Sequence, residues 1–227
     1  MQLPNNAATN GWYNVLSDPA SAKQVSGTVR APYVVLGAGV TGLSAARQLA
    51  THLPDEEIVL IEAERVGFGT SGRNSGFALD SFFHGDEPLN NPELSRAHAR
   101  LCTGGLNILR KLVKEYEIEC GWHDWGKLHV SAGAEGDASL KGFIKGYETL
   151  GIQAQELNAD EVAAVTGSTF YTAGLKVEAT GLMNPAAMCR GLGETLPANV
   201  TLYENTPVHR LERGQPSRLI TANGEVI

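Results

Sequence analysis

Two short apolar runs, residues 34–36 and Ile58–Ile61, bracket a segment whose hydrophobic positions recur with helical spacing. The first run feeds directly into Gly37-Ala38-Gly39-Val40-Thr41-Gly42. Pro54 punctuates the helical segment, and the second run ends on Glu62. The pattern predicts a strand, a tight turn, a helix and a second strand. Further on, residues 92–118 carry Leu101, Gly105, Ile108, Leu109, Leu112 and Tyr116 on one stripe, which predicts a long helix. Gly104 and Gly105 inside it should each cost about 1 kcal/mol against alanine. Such a cost implies close packing against backbone or cofactor, or else a kink. Residues 127–132 and 171–177 read as strands, and 138–150 as a helix ending at Gly151. Asn158-Ala-Asp-Glu161 opens a short helix as a capping box, closed by Gly167. Residues 185–196 form a helix with Asn184 at its N-cap and Pro185 in the first turn. Val200–Tyr203 is a strand, and Val208–Glu212 with residues 218–222 make a hairpin. The polar residues 1–30 read as a surface arm anchored by Trp12 and Tyr13.

The unit from residue 34 to Glu62 has the composition of a dinucleotide site. Gly37 permits the turn, and Gly39 keeps side chains out of the space a pyrophosphate needs. Gly42 lets the helix lie close to the strand. Phosphates then face the free N–H groups of a helix start at Val40 and Thr41. Glu62, 20 residues after Gly42, is placed to accept hydrogen bonds from a ribose. A glycine pattern alone is weak evidence, since a plain turn has the same residues; strand, helix, second strand and terminal acid together make it specific. Residues 65–77, RVGFGTSGRNSGF, then set four glycines among Thr70, Ser71, Arg73, Asn74 and Ser75. By composition this is either a surface loop or a second cofactor contact whose hydroxyls, amide and guanidinium meet phosphate and ribityl oxygens.

Glu62-Ala63-Glu64-Arg65 followed by Gly69-Thr-Ser-Gly-Arg-Asn-Ser-Gly76 resembles the glycine oxidase/D-amino acid oxidase superfamily of FAD-dependent amine oxidoreductases. Within it the chain is most similar to the gamma-glutamylputrescine oxidase-like group. Asn10-Gly-Trp-Tyr13, Glu119-Cys-Gly-Trp122 with Gly126-Lys-Leu-His-Val130, and Asn184-Pro-Ala186 carry that finer likeness. The resemblance implies an α/β fold: a Rossmann-like FAD-binding domain interleaved with part of an antiparallel α+β substrate domain. It places the arm at 1–30, the FAD-binding domain at 31–120 and 185–227, and the substrate domain at 121–184. It makes Val200–Tyr203 the third parallel strand and brings the backbone of Val208 to the adenine. It implies FAD as cofactor and oxidation of the C–N bond of a small amine or amino acid. The expected cofactor contacts are Gly37, Gly39, Val40, Thr41, Gly42, Glu62, Ala63, Arg65, Thr70, Ser71, Arg73, Asn74, Ser75, Gly76 and Val208. Against that pattern the chain is expected to be an amino-terminal portion, inactive by itself.

Composition narrows the alternatives. A net charge of −7 without a Lys/Arg cluster argues against nucleic-acid binding. No run of about 18 apolar residues predicts a membrane span, and the amino terminus lacks the basic and apolar regions of a secretory signal. Cys102, Cys120 and Cys189 are odd in number and without a CxxC, which reads as reduced thiols in the cytoplasm. No histidine spacing suggests a metal. His98 and His129 read as structural or surface residues, His84 as a weak candidate for covalent flavin attachment, and Trp122 and Trp125 as sheet packing rather than walls of an amine pocket. No catalytic residue is assigned, because in flavin amine oxidation the cofactor carries the difficult chemistry. The competing readings are an NAD(P)-dependent dehydrogenase and a non-catalytic dinucleotide-binding fragment.

Overall fold

The computed structural model describes residues 10–17, 22–81, 83 and 87–227; His84 lies outside the described residues. In chain order the elements are α1 (Gly11–Asn14), β1 (Gly27–Val29), β2 (Tyr33–Leu36), α2 (Val40–His52), β3 (Ile58–Ile61), β4 (Phe77–Ala78), α3 (Glu87–Asn90) and α4 (Pro92–Glu115). Then follow β5 (Lys127–Ser131), α5 (Ala134–Leu150), β6 (Gln155–Asn158), α6 (Ala159–Thr166), β7 (Ala173–Val177) and β8 (Gly181–Leu182). The chain ends with α7 (Pro185–Glu194), β9 (Val200–Tyr203), β10 (Val208–Glu212), β11 (Arg218–Thr221) and β12 (Gly224–Val226). A single 3-10 turn, Thr70–Gly72, stands between β3 and β4.

Contacts divide the chain into two units. The first takes the residues up to Gly76 with Leu112–Cys120 and Asn184–Ile227; the second takes Phe77–Lys111 and Gly121–Met183. These boundaries differ from the expected ones. Residues 77–111 were expected with the first unit, yet β4 pairs with β8, Phe77 opposite Leu182, and so joins the second.

The first unit is built on a parallel sheet in the order β2-β3-β9, with Tyr33 opposite Ile58 and Ile58 opposite Val200. β3 has neighbours on both sides, and all four of its residues are fully buried. A continuous apolar run without alternation is what a covered parallel strand requires. Leu43, Ala46 and Ala50 form the buried face of α2. A second sheet, β1-β12-β11-β10, shares a core of Val25, Val59, Ile61, Val208 and Val226. The hairpin β10–β11 matches its reading, but β1 and β12 went unread. Three-residue strands carry too little pattern, and their parallel pairing joins residues about 200 apart. α7 starts as expected, with Asn184 Oδ1 accepting from the Ala186 and Ala187 amides. It lies so close to Ile118 that a Cβ on Gly191 would stand 2.2 Å from Ile118 Cγ2. Gly191→Ala should therefore cost about 1–3 kcal/mol by overpacking, read as a lowered urea midpoint with unchanged slope.

The second unit holds an antiparallel sheet, β5-β7-β6, with α5 and α6. The capping box is present in both directions: Asn158 Oδ1 accepts from the Glu161 amide, and Glu161 accepts from the Asn158 amide. Gly151 and Gly167 end their helices in the left-handed region, at φ 72° and 70°. β6 was not read from sequence, because in Gln-Glu-Leu-Asn only Leu157 is buried. Around a core of Leu140, Tyr147, Leu175 and Val177 lies a buried polar group. Lys127 Nζ stands 3.5 Å from the buried Asp80 carboxylate, and His129 Nε2 is 3.2 Å from the Tyr147 hydroxyl.

Burial, with the Lys127 charge adding to it, holds the His129 imidazole below its ordinary 6.5. The unfolded chain then binds a proton near 6.5 that the folded chain takes up only at lower pH. Stability contributed by neutral His129 is present above 6.5 and is lost as pH falls below it. His129→Phe should flatten the fall in melting temperature as the pH drops below 6.5; an unchanged slope would exclude His129 as its source.

α4 corrects the stripe read from sequence. The face of Leu101, Gly105 and Ile108 is exposed, Leu101 and Ile108 at 75% and 63%, while Ala99, Leu106 and Val113 are buried. Nothing lies within 4 Å of a Cβ built on Gly104 or Gly105, so the glycines are not explained by packing among the described residues. The helix carries two apolar stripes, and periodicity does not choose between them.

Candidate dinucleotide site

The first glycine turn leaves β2 at Leu36. Gly37 takes φ +97°, a left-handed conformation closed to most side chains, and its amide donates to Ile61 O at 2.7 Å. Gly39 is extended and stands at the N-cap of α2 without a side chain of its own to cap the helix. The turn is so tight that a Cβ on Gly42 would lie 1.8 Å from Gly37 O. This contact, within the turn itself, accounts for Gly42 more directly than the approach of helix to strand, where Val35 Cγ1 is 3.6 Å away. No acidic residue occupies the first turn of α2 itself.

Glu62 is fixed at both ends. Its amide donates to Tyr203 O and its carbonyl accepts from the Thr206 amide, which ties it to the chain that leaves β9. Its carboxylate accepts from the Ala38 amide at 2.7 Å and the Glu64 amide at 3.0 Å. The acid thus joins the glycine turn to the end of β3. An ionised carboxylate has about four acceptor positions, so two remain for the hydroxyls of a ribose.

The loop after β3 repeats the first turn. Gly67 has φ +69°, Gly69 is extended, and a Cβ on Gly72 would lie 1.8 Å from Gly67 O. Gly67-Phe-Gly-Thr-Ser-Gly72 has the same G-x-G-x-x-G spacing as Gly37–Gly42. The sequence reading took the loop as glycine-rich and passed over this repeat, although the spacing was there to be seen. The two turns meet at Ser71, whose hydroxyl accepts from the Val40 amide at 3.1 Å, and at Gly67, whose amide donates to Ala38 O. Beneath the second turn, a Cβ on Gly67 would lie 2.5 Å from Cys189 Cβ. Burial pushes the Cys189 thiol up to about 12, so it packs as a neutral group.

The structure brings Gly37, Gly39, Val40, Gly42, Glu62 and Ser71 into one place. Arg73 and Asn74 also bond within the loop. Arg73 Nε donates to Phe68 O at 2.7 Å with its guanidinium over the Phe68 ring, and Asn74 bonds Ser71 O and the Gly76 amide. Both brace the loop from within. Thr41, Arg65, Thr70 and Ser75 are exposed, and Ala63 is half-buried. Val208 is buried in the core beside Val59 and Ile61, with its backbone in the β10–β11 ladder. A pyrophosphate fits these residues. Among the described residues, the one group within 4 Å of a Cβ on Gly39 is the Ser71 side chain, a hydroxyl able to turn and donate to phosphate.

A likeness to known proteins extends over most of the chain. The chain is 29% identical to gamma-glutamylputrescine oxidoreductase of Escherichia coli (strain K12) over 197 residues, 85% of this chain and 46% of that protein. It therefore spans about half the length of that relative. Its fold matches glycine oxidase from Geobacillus kaustophilus with a TM-score of 0.70 at 19% identity, covering 87% of this chain and 53% of that one. It also matches FAD-bound L-alpha-glycerophosphate oxidase from Mycoplasma pneumoniae with a TM-score of 0.66 at 21% identity, covering 87% and 52%. The family model for FAD dependent oxidoreductases of the DAO type matches residues 32–227. With both glycine turns and Glu62 inside that match, the chain belongs to the DAO family of FAD dependent oxidoreductases.

Proposed function

We propose that this chain supplies the FAD-holding part of an enzyme that oxidises the C–N bond of a small amine or amino acid to an imine. The observation that carries the reading is the junction of two G-x-G-x-x-G turns at Ser71 and Val40, with the Glu62 carboxylate beside them. The amides at the start of α2 and the Ser71 hydroxyl meet the pyrophosphate, and the free acceptor positions of Glu62 meet the adenosine ribose. Ala63, Arg65, Thr70 and Ser75 line the same stretch, Arg73 and Asn74 keep it in shape, and Val208 closes the adenine end. FAD supplies the acceptor for a hydride equivalent from the carbon next to nitrogen. The nitrogen loses a proton, the imine hydrolyses to a carbonyl, and the electrons pass to oxygen, giving hydrogen peroxide, or to another acceptor. The choice of amine over other substrates rests on the likeness to gamma-glutamylputrescine oxidoreductase.

No helix among the described residues is long and apolar enough to cross a membrane. The free thiols of Cys102, Cys120 and Cys189 support a reducing, cytoplasmic location. The test is titration of FAD and of NAD into the purified chain, followed by intrinsic tryptophan fluorescence. Saturable FAD binding without NAD binding is expected, and preference for NAD would overturn the reading. Amine-dependent peroxide formation is then assayed on this chain and on a lengthened one, since the chain spans 46% of its Escherichia coli relative.

A further inference from the structure

Three side chains of one short segment bond three carbonyls in and beside the second glycine turn. Asn10 Nδ2 donates to Gly72 O at 3.1 Å, Trp12 Nε1 donates to Asn74 O at 2.9 Å, and the Tyr13 hydroxyl donates to Val66 O. Asn10 is nearly completely buried and has a second task. Its Oδ1 accepts from the Trp12 and Tyr13 amides and so caps α1, which aims the other two donors. The Tyr13 ring meets Phe68 edge-on at 5.4 Å. The segment is held in turn by α7: Asn184 Nδ2 donates to Trp12 O at 3.2 Å, and the Arg190 guanidinium donates to Ser17 O at 2.7 Å. Asn184 also caps α7, so the arm and the buried helix are linked through one side chain.

We propose that residues 10–17 are a clamp on the second glycine turn, and that Asn10, Trp12 and Tyr13 are positioning residues holding residues 66–74 in the shape that receives FAD. The part of this concerning FAD rests on the reading above; the clamp itself does not. A loop with Gly67, Gly69, Gly72 and Gly76 has little conformational preference of its own and loses much freedom on ordering. A peptide group is planar, so fixing a carbonyl also fixes the N–H that follows it. The three bonds therefore set the directions of the amides of Gly67, Arg73 and Ser75. The donors stand on a segment that α7 holds through Asn184 and Arg190. Cofactor retention then depends on residues that need not touch the cofactor.

The experiment uses the whole 227-residue chain and the double variant Trp12→Phe/Tyr13→Phe, which keeps an aromatic ring at each position and removes both donors. Trypsin cuts after Arg73 in the loop and after Arg210 in the β10–β11 hairpin. Without FAD, cleavage after Arg73 should become about thirtyfold faster, the scale of two lost hydrogen bonds, while cleavage after Arg210 stays as in the parent. With FAD bound, flavin release after dilution should accelerate by a similar factor. Unchanged cleavage after Arg73 overturns the clamp; equal acceleration at Arg210 overturns it too, by showing general loosening. Faster cleavage with unaltered flavin release overturns the positioning role. A parent chain that binds no FAD counts against the proposed function instead, and cleavage after Arg73 still decides the clamp. Should the double variant fail to fold, Trp12→Phe alone, at a partly exposed ring, gives the same readouts.

Discussion

Gly42→Val is expected to abolish FAD retention and to destabilise the first unit by about 3 kcal/mol or more, the upper end of overpacking costs. The reason is the identity of the atom in the way. A Cβ at this position would lie 1.8 Å from Gly37 O and 3.0 Å from Gly37 C, and both belong to the backbone of the same turn. The turn would have to open, and Gly37 already sits at φ +97° with its amide committed to Ile61 O. Gly39→Val makes the informative contrast. There the nearest atom is Ser71 Oγ at 2.7 Å, the end of a side chain that rotates away. That variant should keep its fold yet lose FAD, because the branched side chain fills the volume of the phosphates. Urea denaturation and bound-flavin absorbance separate the two cases. A Gly42→Val chain with the urea midpoint of the parent would show that the turn accommodates the side chain and that the steric argument is wrong. Stoichiometric flavin in Gly39→Val would remove the turn from the pyrophosphate site.

The second large effect is at Glu62. Its carboxylate accepts two backbone amides, Ala38 and Glu64, and is expected to accept ribose hydroxyls as well. Glu62→Gln keeps the shape but turns one acceptor into a donor that faces an amide. FAD binding should weaken by roughly 1–3 kcal/mol, the scale of a hydrogen bond to a charged group. The chain without cofactor should also lose stability, by about 1 kcal/mol or more, because a half-buried amide is left without its acceptor. Glu62→Ala removes both bonds and should cost more on each count. Unfolding with and without saturating FAD separates the contributions, since ligand stabilisation follows directly from the dissociation constant. An unchanged FAD affinity in Glu62→Gln would leave the acid a purely structural tie.

Both predictions turn on residues visible in the sequence, and the local structure around them was legible for a physical reason. A strand feeding a G-x-G-x-x-G turn, a helix opened by an uncapped glycine and a strand ending in acid are set by contacts within about thirty residues. The same locality made the Asn158 capping box, the Asn184–Pro185 helix start and the Val208–Glu212 hairpin strand readable. The likeness of residues 62–76 to FAD-dependent oxidoreductases was legible for that reason too.

Tertiary structure decided the rest. The face of α4 that is buried depends on what packs there, and Leu101 and Ala99 lie on stripes of similar periodicity. Residues 77–111 joined the second unit because β4 found β8 about a hundred positions away. β1 and β12 were hidden because their pairing spans nearly the whole chain. The bonds from Asn10, Trp12 and Tyr13 to the loop, and from Ser71 to Val40, exist only once distant segments are brought together. The sequence by itself determined the turn, its acid and the kind of ligand they suit. Only the fold determined which groups hold those turns in place, because those contacts join segments about thirty to sixty positions apart and leave no local pattern.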